Sequence, residues 1–457
     1  MELAIERKTN RVLYTQSDKD FVDVLLSFLI LPMGTIIKVA NKRSGIGSMD
    51  NLYRSVEALD DEECFRAKAS KTMLLNPRSA YGFLYHNLVV KIDKTNYFKI
   101  YTCRTTPCLD RHRGLFSLVK NSICYCGQAM NKEITLKKHI GRVFINKTDR
   151  YIISDDLKIL PALMDNSLPW LMENKIGDST EVRKAIVTVG PREILHLLLR
   201  LMIARTPLTD VFVLKNWNYM CNSLRIMPYE YGRELLSTSE EMKVKLWFCK
   251  STESILCVEA KADFVDFLFT FLTLPLSSVI KLLNGHSYMG IMDQLYKTAE
   301  TLIEQKIIST ETKEKLLSPK LECMFGCCYQ LLQIQEKTTL EFLRYKKCDC
   351  SDKHKKTCLH SEVTLQIMNP KRRGMITSGG GFVKEGRLLV TDNLEIKPLS
   401  TVSDMFKLGM IPFEDMECMY VTVGEEEITH GMAKVLSLLC LVCFCEFGRK
   451  RRKLPTD

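Results

Sequence analysis

Between Leu3 and Gln16 apolar and polar residues alternate on either side of Lys8, Thr9 and Asn10. That period of two predicts a β-hairpin closed by a turn. From Asp20 the period changes. In DFVDVLLSFLILP the polar positions are Asp20, Asp23 and Ser27, and a spacing of three and four draws one thin polar stripe along a helix that is otherwise apolar all round. Asp20 is placed as N-cap and Asp23 at N3, where carboxylates accept orphan amides at the positive end of the helix dipole. A catalytic or metal-binding role for the pair is the alternative, and capping accounts for the spacing without it. Pro32 stops the helix.

The next helix, SMDNLYRSVEAL, buries one face through Met49, Leu52, Tyr53, Val56 and Leu59. NLVVKI, YFKIYTC, RVFIN and YIISDDLKILP follow as strand-like runs, and a last helix is expected from Pro191 to Ala204.

The chain then repeats this text. Residues 20 to 59 and 263 to 302, offset by 243, agree at 20 of 40 positions without a gap. SDDLKILP ending at Pro161 answers TDNLEIKP ending at Pro398, and VTVG at Val187 answers VTVG at Val421. The drifting offsets place insertions in loops. The expected fold class is α+β, made by tandem duplication of one unit: hairpin, buried helix, amphipathic helix, short antiparallel strands, a cysteine lobe and a terminal helix. The units are 1–215 and 243–457, with 216–242 as linker, since that segment has no counterpart in the repeat.

A chain of 457 residues has room for two such domains, and 46% hydrophobic with 26% charged residues is ordinary for a globular protein. The opening MELAIERKTNRVLYTQ has no apolar core of a secretory signal. The 18 cysteines are therefore expected in a reducing compartment, cytoplasmic or nuclear, where grouped cysteines serve as metal ligands or buried residues in preference to disulfides. No apolar run reaches membrane-spanning length. The nearest, VLSLLCLVCFCEF from Val435 to Phe447 followed by GRKRRK, reads as a buried terminal helix, with peripheral membrane contact as the alternative.

The cysteines with most chemical content are Cys103, Cys108, Cys124 and Cys126, in the order C-x4-C, fifteen residues, C-x-C-G. Two close pairs joined by a loop offer four thiolates to a tetrahedral Zn²⁺, and Gly127 lets the backbone turn tightly around the sulfurs. Four reduced, partly buried thiols are the other reading of the same pattern. In the second unit Cys358 and His360 fall where Cys124 and Cys126 do, and Cys348 with Cys350 forms the upstream pair. Replacing cysteine by histidine keeps ligand chemistry, although seven residues between the pairs is a short loop and His354 competes. A closed site of this kind is structural and activates no water. Cys323, Cys327 and Cys328 are expected to be core residues.

The doubled DFVDxLxxFLxLP helix with its following MDxLY, the CYCG knuckle, the GGGFVK…VTDNLEIKP stretch and TPLTDVF at the end of unit one together resemble the plant-specific domain of unknown function 674 family. The resemblance covers nearly the whole chain. It implies a plant protein with two copies of the unit, and no activity. The second unit departs from it at its end, where LCLVCFCEFGRKRRKLPTD stands in place of the TPLTDVF ending.

Other chemical motifs carry less. Glu193 with His196, and Glu427 with His430, have the Glu-x-x-His spacing of a di-metal helix but lack further inward carboxylates. SGGGFVKEG, Ser378 to Gly386, lacks the order of a phosphate loop and reads as a flexible connection. No nucleophile elbow, HExxH or dinucleotide fingerprint occurs. The expectation is an interaction or scaffold protein with zinc-knuckle-like lobes and a protein partner. A nucleic-acid binder using the basic runs Lys371 to Arg373 and Arg449 to Lys453, within a net charge of +11, is the first alternative, and an enzyme of unknown reaction the second.

Overall fold

A computed structural model describes the chain except residues 47, 105–113, 137–142, 147–149, 175, 177–180, 216–241, 253–254, 288, 328–333, 338–341, 348–360, 378, 400–411 and 424–457. The first half opens with β1 (Glu2–Glu6), β2 (Val12–Ser17), α1 (Lys19–Ser27), α2 (Met33–Val39), α3 (Met49–Ala58) and α4 (Lys68–Leu75). It continues through β3 (Lys99–Thr102), β4 (Leu115–Ser117), β5 (Ser122–Ile123), β6 (Ala129–Met130), β7 (Lys132–Thr135), β8 (Tyr151–Ser154) and β9 (Ile159–Pro161). It ends in α5 (Met164–Glu173), β10 (Val182–Ile186) and α6 (Pro191–Ile203). The second half contains β11 (Met242–Cys249), β12 (Ile255–Lys261), α7 (Ala262–Thr270), α8 (Leu276–Leu282), α9 (Met292–Glu304) and α10 (Thr310–Leu317). After these come β13 (Phe342–Lys347), β14 (Ser361–Ile367), β15 (Arg387–Thr391), β16 (Ile396–Pro398) and β17 (Met416–Val423).

The class is α+β. One antiparallel sheet has the order β10-β1-β2-β8-β9 and a second the order β17-β11-β12-β15-β16. A third, β13-β14-β4-β3-β7, joins the halves through the parallel pair β14 and β4. The hairpin expected at the N-terminus is β1 and β2, and SDDLKILP closes the β8–β9 hairpin. NLVVKI is not a strand. Gly82–Asn87 is a 3-10 turn and the residues after it pair with nothing in a sheet. Its alternation is real, with Leu88 buried and Val89 71% exposed, but alternation without a partner strand makes no ladder.

The repeated helix is buried as its composition demands. From Phe21 to Ser27 in α1, and from Phe264 to Thr270 in α7, every residue is buried. Each ends in a 3-10 turn before its proline, Pro32 or Pro275, and these two prolines face one another across an isolated bridge. The Met33 amide donates to Leu274 O at 2.9 Å and the Leu276 amide to Leu31 O at 3.0 Å. The copied text therefore meets itself at the centre of the molecule.

Helices are exchanged between the halves. Ser55 of α3 accepts from the Ile396 amide at 2.9 Å, next to β15–β16, while Thr298 of α9 donates to Leu157 O at 2.8 Å, between β8 and β9. Leu157 and Leu394 are both left-handed, with φ of 62°. One apolar cluster runs through both halves, from Leu25 and Ile36 to Phe267 and Ile280. The segment expected as linker lies outside the described residues except Met242, which begins β11.

Candidate metal centre

Cys103 directly follows β3, and Cys124 to Gly127 form the turn between β5 and β6. That turn is closed by the Gly127 amide donating to Cys124 O and the Cys124 amide donating to Gln128 O, both at 2.9 Å. Gly127 sits at φ 87°, a left-handed conformation that favours glycine, and the Arg373 guanidinium lies 2.8 Å from where a Cβ would stand. The sulfurs of Cys103, Cys124 and Cys126 all lie within 4.8 Å of one another, with 3.6 Å between Cys103 and Cys126. Cys103 and Cys124 are each 2% exposed, while Cys126 is exposed. Burial pushes the Cys124 thiol up, with the neighbouring thiols adding to it. A bound cation reverses that preference by stabilising thiolate.

Leu115, Met130 and Met368 wall the cluster, and Met368 comes from the second half. Just beyond it, Arg373 Nη2 donates to Tyr125 O at 3.3 Å, and Gly374, at φ 67°, leaves room for Tyr125 where a Cβ would stand 2.7 Å from its ring. The knuckle of one half is thus clasped by a turn of the other. Of the residues expected as ligands, the structure brings together Cys103, Cys124 and Cys126. Cys108, Cys348, Cys350, Cys358 and His360 lie outside the described residues, in segments that adjoin β3, β13 and β14.

The paired aspartates do something other than capping, which corrects the sequence expectation. The N-cap of α1 is Asp18, whose carboxylate accepts from the Phe21 amide at 3.2 Å, and Asp20 pairs with Lys19. Asp23 is 2% exposed, and its Oδ1 accepts from the amides of Phe144 and Ile145 at 3.1 and 2.9 Å. Asp266 repeats this with Phe382 and Val383 at 2.7 and 2.9 Å. Burial raises both carboxyls to about 6 against the pull of those amides. Each carboxylate anchors a distant loop. The sequence held the signal, a polar residue repeated within an all-apolar helix, but not its partner.

GGGFVK is the partner of Asp266. A Cβ on Gly381 would lie 1.9 Å from Asp266 Oδ2, so this stretch is a fitted cradle and not merely a flexible connection. Glu193 caps α6 by accepting from the Gly190 amide at 3.0 Å, so it is not an inward-facing metal ligand; Glu427 and His430 lie outside the described residues. Lys371 is 1% exposed, its ammonium on Gly326 O and 4.7 Å from the Phe382 ring centre, so within the basic run Lys371 to Arg373 this charge is turned into the protein. Cys323 and Cys327 are buried core residues, and Cys328 lies outside the described set. A cleft of about 250 Å³, counting solvent at its mouth, is lined by Ser27, Tyr85, Lys91 and Asp93 among apolar side chains. Asp93 there is already engaged by the Tyr97 hydroxyl at 2.6 Å.

Fold and site thus define an α+β protein of two like sheets sharing one core, with a thiol knuckle at the seam. The chain belongs to the family described as protein of unknown function DUF674, whose model matches residues 1–426. Comparison with curated proteins returned no match, and neither did comparison with solved structures. No helix among the described residues is long and apolar enough to cross a membrane.

Proposed function

We propose that this chain is a non-enzymatic interaction scaffold, a tandem duplication of one α+β unit, in which a structural Zn²⁺ holds the knuckle at the seam between the halves. The observation that carries the reading is the convergence of the Cys103, Cys124 and Cys126 sulfurs within 4.8 Å. Three thiols from two separate stretches of chain, the end of β3 and the β5–β6 turn, suit a thiophilic ion, and Cys108 is the fourth ligand of the proposal. A closed set of four protein ligands contributes folding energy and leaves no position for a reacting water. Cys348, Cys350, Cys358 and His360 form the second site of the same proposal. Duplication is supported by the equal strand order of the two outer sheets and by the matched Asp23 and Asp266 anchors. A protein partner in a reducing compartment, cytoplasmic or nuclear, completes the reading.

Metal analysis of the purified full-length chain tests it. About two equivalents of zinc are expected, falling by about one in Cys124→Ser and by about one in Cys358→Ser. Wild type purified without chelator and free of zinc removes the proposal.

A further inference from the structure

We infer that Cys103 and Cys126 are a peroxide-reactive pair that closes to a reversible disulfide when no metal holds them. Their sulfurs stand 3.6 Å apart, so a relative shift of about 1.5 Å brings them to bonding distance. Cys126 is exposed and Cys103 is buried, so an oxidant reaches Cys126 first. Cys124 is the poorer partner. It lies two residues from Cys126 within a turn whose hydrogen bonds at Cys124 N and O hold the backbone, and closing so short a ring strains that turn. Cys103 comes from a separate stretch of chain at the end of β3, and the turn survives its approach.

The chemistry balances with hydrogen peroxide as oxidant. The Cys126 sulfur attacks one peroxide oxygen, the O–O bond breaks, and a sulfenic acid and one water form. The Cys103 sulfur then attacks the Cys126 sulfur. The S–O bond breaks as the S–S bond forms, and the departing oxygen leaves as a second water with the thiol proton. Two thiols give up two electrons and two protons, and one peroxide becomes two waters. Tyr125, next to Cys126, carries the contacts of Arg373 and Gly374 from the other half, so the event is placed where the halves clasp. The inference shares its sulfurs with the zinc proposal but requires only their proximity.

The test treats full-length protein with hydrogen peroxide after chelator stripping and after zinc supplementation, then maps non-reduced peptides by mass spectrometry. Stripped wild type is expected to yield a Cys103–Cys126 linked peptide that dithiothreitol reverses. Cys126→Ser abolishes the link, Cys124→Ser keeps it, and zinc slows its formation by about tenfold. Absence of that peptide in stripped wild type, at peroxide sufficient to oxidise a model thiol, overturns the inference, as does undiminished loss of the Cys103 thiol in Cys126→Ser. Equal rates with and without zinc support the pair and instead count against the zinc proposal.

Discussion

Asp23 and Asp266 occupy the same place in the two halves and take the same two amides, yet their second oxygens live differently. Asp23 Oδ2 faces the Lys19 ammonium at 3.7 Å, one helical turn back. Where Lys19 stands in the first half the second has Ala262, and Asp266 Oδ2 instead lies against the bare α-carbon of Gly381. The first half carries Val143 at the position before its phenylalanine, so it tolerates a side chain that the second cannot. Loop anchoring needs only one carboxylate oxygen and two consecutive amides. The other oxygen is accommodated locally, by Lys19 in the first half and by the Gly381 cradle in the second, where Lys371 and Arg66 add positive charge.

The comparison breaks most severely at the carboxylate. Asp266→Ala strands two buried amides and is expected to lose about 4 kcal/mol in urea denaturation, with Asp23→Ala close behind; a loss under 1 kcal/mol in either would show that the amides find other acceptors. Acidity comes next. Both carboxyls are raised to about 6, so their contribution to stability is complete below the ordinary carboxylate range and is lost as pH rises through about 6. Asp266→Asn should flatten that loss by about 3 kcal/mol between pH 4 and 7, measured by urea midpoints across the range, and an unchanged slope would refute the raised carboxyl. Gly381→Ala pushes a methyl into Asp266 Oδ2 and is expected to cost about 2 kcal/mol; a neutral thermal melt would contradict the cradle. Least is expected of Lys19→Met, about 0.5 kcal/mol for a half-exposed ion pair, visible chiefly as a further upward shift of the Asp23 carboxyl by NMR titration.

The elements read correctly from the sequence are those whose evidence is local. The β1–β2 hairpin, the all-apolar α1, the one-faced α3 and the Pro-started α6 each display their period within a dozen residues. α2 and α4 were not legible, being short, and neither was α5, with Pro169 in its interior. NLVVKI misled because alternation records which side chains face inward and says nothing of a neighbouring strand. At the candidate centre, cysteine spacing pointed to Cys103, Cys108, Cys124 and Cys126 as one group, of which Cys103, Cys124 and Cys126 meet and Cys108 lies outside the described residues. The clasp by Arg373 and Gly374 had no local trace, since it joins positions some 250 residues apart.

Sequence alone determined the α+β class and the doubled text, because periodicity is a short-range property of a chain. The tertiary structure decided that Asp23 and Asp266 anchor loops, that Lys371 is buried, and that α3 and α9 each pack on the sheet of the other half. A buried carboxylate or ammonium takes its role from whichever backbone groups the fold delivers to it, and those lie over a hundred residues away along the chain for the two aspartates and 45 for Lys371.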